Sequence, residues 1–278
     1  MQVAVHKAAL CEKDIMELRE PRSRVKDFQP GMTNSDRLLS HAVLTENRST
    51  ADAVRPGPVL LLGAPGVGKG TQGEILAKIW RVPKISTGDI LRANVSNGTP
   101  LGVQAAQMMK SGGLVPDDLV TDMVAERLRD RDTEAGFILD GFPRTVCQAE
   151  WLDKYLNAHR KGEALAIVSM CMDHDQILQR VVHRTVCPVC KTVYNTELMP
   201  PKRAGHCDLD DAELIQRNDD SAVIFKTRLE VFRRETEPLF EFYRSHFLFI
   251  EVDAGKTPSS VTRDISTSLS RLRNQMEQ

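Results

Sequence analysis

Two stretches of this 278-residue chain hold residues whose types and spacing could do chemistry: GAPGVGKGT, Gly63 to Thr71, and the pair CPVC and CDLD, Cys187 to Cys190 and Cys207 to Asp210. The first sets Gly63, four residues, then Gly68 and Lys69 directly behind the apolar run Val59 to Leu62. Glycines there let consecutive backbone N–H groups turn inward, a following helix adds its positive N-terminus, and Lys69 supplies a mobile charge for terminal phosphates. Gly66, Val67, Gly68, Lys69, Gly70 and Thr71 are therefore expected to cradle phosphate. One position departs from the general phosphate loop, where a serine or threonine follows the lysine and ligates magnesium. Here Gly70 stands in that place and Thr71 comes one residue later. Magnesium is then expected to be held through water by Asp140 and Asp89, with the phosphates supplying direct oxygens.

Cys187-Pro-Val-Cys190 and Cys207-Asp-Leu-Asp210 read as two knuckles separated by sixteen residues. Three thiolates and one carboxylate make a closed four-coordinate set suited to structural zinc, with no open position for catalysis. His206, beside Cys207, is the alternative fourth ligand to Asp210. The remaining cysteines, Cys11, Cys147 and Cys171, are scattered, so they are read as buried or incidental thiols. Clustered thiols in a reducing compartment favour metal over a disulfide framework.

These residues need elements to position them. Short β-rich runs at Val59 to Leu62, Lys84 to Ser86, Phe137 to Asp140, Ala164 to Met172 and Phe247 to Val252 alternate with helical patterns at Thr71 to Trp80, Leu119 to Asp130, Gln148 to Ala158 and Ser221 to Tyr243. That alternation predicts an α/β fold, a five-stranded parallel sheet covered by helices. Two insertions interrupt it: a mostly helical one over Thr87 to Val115, and one rich in Pro, Gly and Cys over Thr185 to Asp220. The expected organisation is an extension at 1–58, a core at 59–85, 116–182 and 221–278, and insertions at 86–115 and 183–220.

A hydrophobic content of 41% fills a core, while a formal charge of −1 leaves no global basic field for nucleic acid or an anionic membrane. No apolar run approaches the roughly 20 residues that span a bilayer. The first thirty residues carry Glu12, Asp14, Glu17, Glu20 and Asp27, which argues against a transit peptide. The expectation is a cytoplasmic protein whose first 58 residues are a flexible tail, weakly helical over Val3 to Leu18, or the product of an upstream start with Met32 as the true one.

GAPGVGKGTQ, STGDILR (Ser86 to Arg92), LVPDDLV (Leu114 to Val120), ILDGFPRT (Ile138 to Thr145) and RNDD (Arg217 to Asp220) follow in order. From Val59 to its C-terminus the chain resembles adenylate kinases of the long-lid type. The resemblance implies transfer of a phosphoryl group from ATP to AMP, giving two ADP, with Mg2+ accompanying ATP. It also implies a P-loop three-layer core carrying an NMP-binding domain and a zinc-ribbon-like lid, which are the two insertions. Some long-lid relatives have aspartate in place of a fourth cysteine, as at Asp210. Such a reaction brings several negative charges together, so it is run by positioning and neutralisation, and arginine is the residue to look for. No general base is needed, because the phosphate of AMP is already an anionic nucleophile.

By resemblance, Lys69, Arg92 and Arg144 face AMP and the transferred phosphate, Arg180 and Arg184 lie at the lid hinge over ATP, and Arg217 and Arg228 approach from the other side. AMP is expected at Thr87, the backbone of Gly113, Leu114 and Val115, the turn Gly141, Phe142, Pro143 and Arg144, and the Gln148 amide, whose donor and acceptor suit a base edge. The ATP adenine is expected near Val193, Tyr194, Gly255 and Lys256. His183, between Arg180 and Arg184, is weighed as a further phosphate contact. Gly70 would leave room for the second substrate's phosphate. Each nucleotide site can be completed within one chain, which predicts a monomer. Two rivals remain: a kinase of UMP, CMP or GMP, against which Thr87 and Gln148 argue, and a P-loop protein whose zinc ribbon binds nucleic acid.

Overall fold

The structure, a computed structural model, describes residues 56–160, 162–217, 220–246 and 248–276. Residues 1–55, with the expected tail, its helical stretch, Cys11 and Met32, lie outside the described residues, as do Asn218, Asp219 and Phe247. The elements run β1 (Gly57–Leu62), α1 (Lys69–Trp80), β2 (Lys84–Ser86), α2 (Thr87–Ser96), α3 (Pro100–Ser111), α4 (Asp117–Leu128), β3 (Gly136–Asp140), α5 (Val146–His159), β4 (Ala166–Cys171), α6 (His174–Val182), β5 (Arg184–Val186), β6 (Val193–Asn195), α7 (Ala222–Val231), α8 (Pro238–Arg244), β7 (Phe249–Asp253) and α9 (Pro258–Met276).

Five strands form one parallel sheet in the order β2-β3-β1-β4-β7. Successive side chains of a strand point to opposite faces, and β1 uses both. Val59 and Leu61 join one core with Leu76, Val168, Ile177 and Ile265, while Leu60 and Leu62 join the other with Ile85, Val124, Leu139 and Leu152. A strand buried on both faces reads as a continuous apolar run, as GPVLLL does. Truncating Leu60 or Leu61 to alanine removes about 2–5 kcal/mol at such fully packed positions. The chain turns to opposite sides of β1 to reach β3 and β4, so a crevice opens at the carboxyl end of β1.

Polar caps fix the helices that border this crevice. Ser86 accepts from Asp89 N at 3.3 Å at the start of α2, Thr99 from Gly102 N at 3.0 Å at α3, and Thr145 from Gln148 N at 3.2 Å at α5. Helices α2 and α3 form the expected helical insertion, and they pack through Gly102, where a Cβ would lie 2.1 Å from Asn94 O.

The expected helix over Ser221 to Tyr243 is instead broken. Phe232–Thr236 is a π turn, closed by Glu237 N–H donating to Phe232 O at 2.9 Å, and α8 then starts at Pro238. Proline has no N–H to continue an α ladder, and the widened turn carries the chain past it. Helices α6 and α9 are further elements that the alternation in the sequence did not delimit. In the second insertion β5 and β6 pair antiparallel, with a bridge from Val186 to Ile215. No helix among the described residues is long and apolar enough to cross a membrane.

Candidate active site and metal-binding knuckles

The glycine loop leaves β1 at Gly63 and enters α1 at Lys69. Gly66 has φ +86°, and a Cβ there would meet Val181 Cγ2 at 2.5 Å and Ile177 Cγ2 at 2.8 Å. Only glycine satisfies both the backbone angle and the space. Lys69 Nζ donates to Gly63 O at 2.6 Å and Ala64 O at 2.9 Å, bending its ammonium over the loop. A Cβ on Gly70 would sit 3.5 Å from Asp140 Oδ2, an ordinary contact, so the glycine keeps the gap between the loop and the end of β3 open.

Cations gather around that gap. Burial pushes the Lys69 pKa down to about 8, Asp140 opposes the shift, and Arg144, Arg228 and Arg184 add to it. Burial likewise lowers Arg217 to about 10, with Arg184 and then Arg92 contributing. These mutual influences tie Lys69, Arg92, Arg144, Arg184, Arg217 and Arg228 into one electrostatic cluster.

Two of these side chains, Arg184 and Arg92, are aimed by carboxylates. Asp220, fully buried, binds Arg184 through both carboxylate oxygens, one bond being Nε to Oδ2 at 2.7 Å. Arg92 Nη2 pairs with Asp89 Oδ1 at 2.5 Å above Gly88, and Lys84 Nζ holds Asp89 Oδ2 at 3.3 Å while also meeting Glu74 at 2.6 Å. Burial raises the Asp89 carboxyl, but Arg92 and Lys84 outweigh it and hold the group well below the usual carboxylate range.

The turn after β3 is equally constrained. Gly141 O accepts from Thr87 Oγ1 and from Arg144 Nε, both at 2.8 Å, and Arg144 O accepts from Thr236 Oγ1 at 2.8 Å. Gln148 is buried, with its Oε1 accepting from Arg144 N at 2.7 Å and its Nε2 donating to Asp117 Oδ1 at 2.6 Å. The end of α3 reaches the same place: Gly112 has φ +80°, and a Cβ on it would lie 3.0 Å from Arg228 Cγ. The backbone of Gly113, Leu114 and Val115 therefore leaves α3 beside α7.

Known proteins are similar in sequence over these segments. Residues 61–247 match the family model for adenylate kinase. The chain is 43% identical over 213 residues to the adenylate kinase of Clostridium botulinum (strain Loch Maree / Type A3), covering 77% of this chain and 98% of that protein. It is 42% identical to the adenylate kinase of Clostridium tetani (strain Massachusetts / E88), over 76% of this chain and 97% of that one. The corresponding values for the adenylate kinase of Clostridium novyi (strain NT) are 44%, 76% and 97%. The chain belongs to the adenylate kinase family.

In this family member the expected ATP side is assembled differently from the AMP side. Arg180 Nη2 donates to Gly255 O at 3.4 Å, and a Cβ on Gly68 would lie 4.0 Å from its Nη1, so the guanidinium bridges the glycine loop and the β7–α9 turn. Lys256 Nζ is turned to Asp264 at 2.8 Å. Tyr194 is buried, its hydroxyl 3.4 Å from Cys207 Sγ and accepting from Asp208 N at 2.8 Å. Tyr194 is thus committed within the protein, whereas Lys256 makes an exposed surface ion pair. His183 faces Glu197 Oε1 at 3.2 Å and Thr196 Oγ1 at 3.4 Å, which ties it to the lid.

The lid knuckles bring their four donors together. One ligand atom each of Cys187, Cys190, Cys207 and Asp210 lies within 4.8 Å of all the others. Cys190 Sγ and Cys207 Sγ are 3.4 Å apart, and Cys187 Sγ is 3.3 Å from both Asp210 oxygens. Zinc–sulfur bonds of about 2.3 Å in a tetrahedron need edges of this order, so the donor set fits the metal. The two knuckles repeat one backbone form. Lys191 and Asp211, each following the last ligand of its knuckle, have φ of +62° and +56°. Lys191 N–H donates to Cys187 O at 3.1 Å and Asp211 N–H to Cys207 O at 3.0 Å. His206 turns away, its ring nitrogens 3.1 Å from Ala204 O and from Arg203 Nη2, which leaves Asp210 as the fourth donor.

Asp117, Thr145, Lys84 and Asp220 shape the site although sequence reasoning assigned them no role. Asp117 and Asp220 carry a signal in the sequence, since they lie in LVPDDLV and RNDD beside the expected binders Val115 and Arg217.

Proposed function

We propose that this chain reversibly transfers the terminal phosphoryl group of ATP to AMP, giving two ADP, and so balances adenine nucleotides. The cluster of Lys69, Arg92, Arg144, Arg184, Arg217 and Arg228 at the carboxyl end of the sheet carries the reading. Six cations sharing one crevice suit two polyphosphate ligands held end to end, where catalysis is positioning and charge stabilisation.

In this reading the N–H groups from Gly66 to Thr71 and Lys69 hold the ATP phosphates, and Arg184, aimed by Asp220, reaches them from the lid hinge. Arg180 lies over the ATP base between the loop and Gly255, and the backbone about Val193 closes the other side. Thr87, Arg92, Arg144, Arg228, the Gly113 to Val115 backbone and the Gly141 to Pro143 turn hold AMP, with Gln148 on the base. Arg217, between Arg184 and Arg92, meets the phosphoryl group in passage. Adenylate kinases use Mg2+ with ATP, and the ion would supply charge neutralisation on the phosphates; Asp140, beside Gly70, would hold its waters, joined through water by Asp89, whose oxygens also face Arg92 and Lys84. Zinc in the Cys187, Cys190, Cys207 and Asp210 site would make the lid a rigid flap, and closure of lid and NMP-binding insertion would exclude water as a competing acceptor. The near-neutral charge and the completeness of both sites within one chain support a cytoplasmic monomer with small-molecule partners.

Purified protein given ATP with AMP, UMP, CMP or GMP in a coupled assay for diphosphate formation tests the activity, with zinc measured on the same sample. The expected result is rapid ADP formation from AMP and about one zinc per chain. A preference for another base, or no transfer together with salt-dependent binding of nucleic acid, would overturn it.

A further inference from the structure

Gln148 has an amide whose two ends differ only in which hydrogen bonds they make, so its orientation is assigned by its partners. Both partners point the same way. Arg144 N–H needs an acceptor and finds Oε1 at 2.7 Å, and the Asp117 carboxylate needs a donor and finds Nε2 at 2.6 Å. Asp117 is itself aimed: its second oxygen accepts from Thr145 Oγ1 at 2.7 Å, and Thr145 caps α5 through Gln148 N at 3.2 Å. Gln148 is 2% exposed, so water does not replace either partner if the amide turns over. A reversed amide would face the Arg144 N–H with an NH2 group and the Asp117 carboxylate with a carbonyl oxygen, two repulsive contacts in a buried place.

We infer that Asp117 is a positioning residue that sets base specificity by locking the Gln148 amide in one orientation. The inference rests on the reading of Gln148 as the contact to the AMP base. In the locked orientation one lone pair on Oε1 and one N–H on Nε2 remain for a ligand. Adenine offers the matching edge, a 6-amino donor beside the N1 acceptor. A 6-oxopurine offers the opposite edge, a carbonyl acceptor beside an N1–H donor, at the same shape and size. The lock therefore favours AMP over IMP without excluding IMP sterically, since a reversed amide would be needed to accept it.

Affinities of AMP and IMP, measured by calorimetry on the full chain, give the discrimination ratio whether or not the chain turns over. Rates with the same two nucleotides give it again for catalysis. Asp117→Asn keeps the shape and lets residue 117 offer either a donor or an acceptor, so one of the two locks is lost. Asp117→Ala removes that lock outright. Both variants should narrow the AMP-to-IMP ratio by about 10- to 100-fold, the worth of one hydrogen bond to a charged group, with Asp117→Glu closer to the parent. A purely structural role would weaken AMP and IMP alike. Parallel losses with the ratio unchanged in both variants, or a parent chain that binds the two nucleotides equally, would overturn the inference. Failure to form ADP with the ratio intact in the parent and narrowed in the variants would instead overturn only the proposed activity.

Discussion

At the carboxyl end of the sheet Lys69, Arg92, Arg144, Arg184, Arg217 and Arg228 crowd one another, whereas in the lid Cys187, Cys190, Cys207 and Asp210 converge within 4.8 Å. Each region concentrates groups of one kind, cations in the first and metal-ligand donors in the second, and each suits a guest of opposite charge. They differ in how the backbone treats that guest. The knuckles wrap four donors from two matching turns around one point and leave no position open, as suits a resident cation. The cationic crevice is lined from several distant segments of chain, α1, α2, α7, the turn after β3 and the root of β5, as suits anions that arrive and leave. On the proposed function, one region should govern stability and the other turnover.

Substituting the loop lysine tests the separation most severely. Lys69→Met should lower kcat for ADP formation by about 10²–10³-fold, the loss expected when one aimed donor to a developing charge is removed. Its melting temperature and zinc content should stay at parent values. A variant that loses zinc or melts early would show that the two regions are coupled rather than separate.

The hinge between them is the next place to press. Asp220 is wholly buried and Arg184, which opens β5, has a side chain only 17% exposed. Removing one partner of a buried pair strands the other charge, at about 3 kcal/mol or more. Asp220→Asn should therefore shift the urea midpoint downward and weaken ATP, because Arg184 loses the carboxylate that aims it. Unchanged ATP affinity in a destabilised variant would make the pair structural alone.

Cys187→Ser should do the reverse of Lys69→Met. Zinc content should fall and the melting temperature drop by about 4–8 °C for a loss near 2 kcal/mol, with kcat changed several-fold at most. The affected protein should show the loss as a separate early transition if the lid unfolds by itself.

How far the sequence carried this comparison depends on the range of the interactions involved. The phosphate loop, the knuckles and the alternation of strands and helices are local patterns, set within a few residues by backbone requirements and side-chain period, and they were legible. The broken helix at Phe232 to Pro238 was less so, because an apolar helical period runs through a π turn without interruption. Orientation was the hidden part. Nothing about Tyr194 as a residue type says that its hydroxyl turns to Cys207 and Asp208, and nothing about Lys256 says that it meets Asp264. Asp117 meeting Gln148 across 31 positions of chain is a tertiary fact of the same kind. Motifs marked the expected binders, while Asp117 and Asp220, the acids that meet Gln148 and Arg184, had been given no role.

The smallest effect lies in protons. Lys69 has a pKa near 8 in the folded chain against an ordinary 10.5. Between those values the unfolded chain binds more protons, so the cost of burying the ammonium is fully present below pH 8 and is relieved as pH rises toward 10.5, making this group's contribution to stability increase across that window. Phosphate brought beside the ammonium favours its charged form and moves the pKa back up. Binding of ADP at pH 8.5 should then take up most of one proton, roughly three quarters for a group shifted from near 8 to well above 9. Calorimetry in buffers of different ionisation enthalpy reads that number directly, and Lys69→Met should bring it close to zero. Equal uptake in the parent and the variant would place the titrating group elsewhere in the cluster. No uptake in either would mean that Asp140 keeps the lysine charged without nucleotide, so that the cationic crevice already holds its counter-charge.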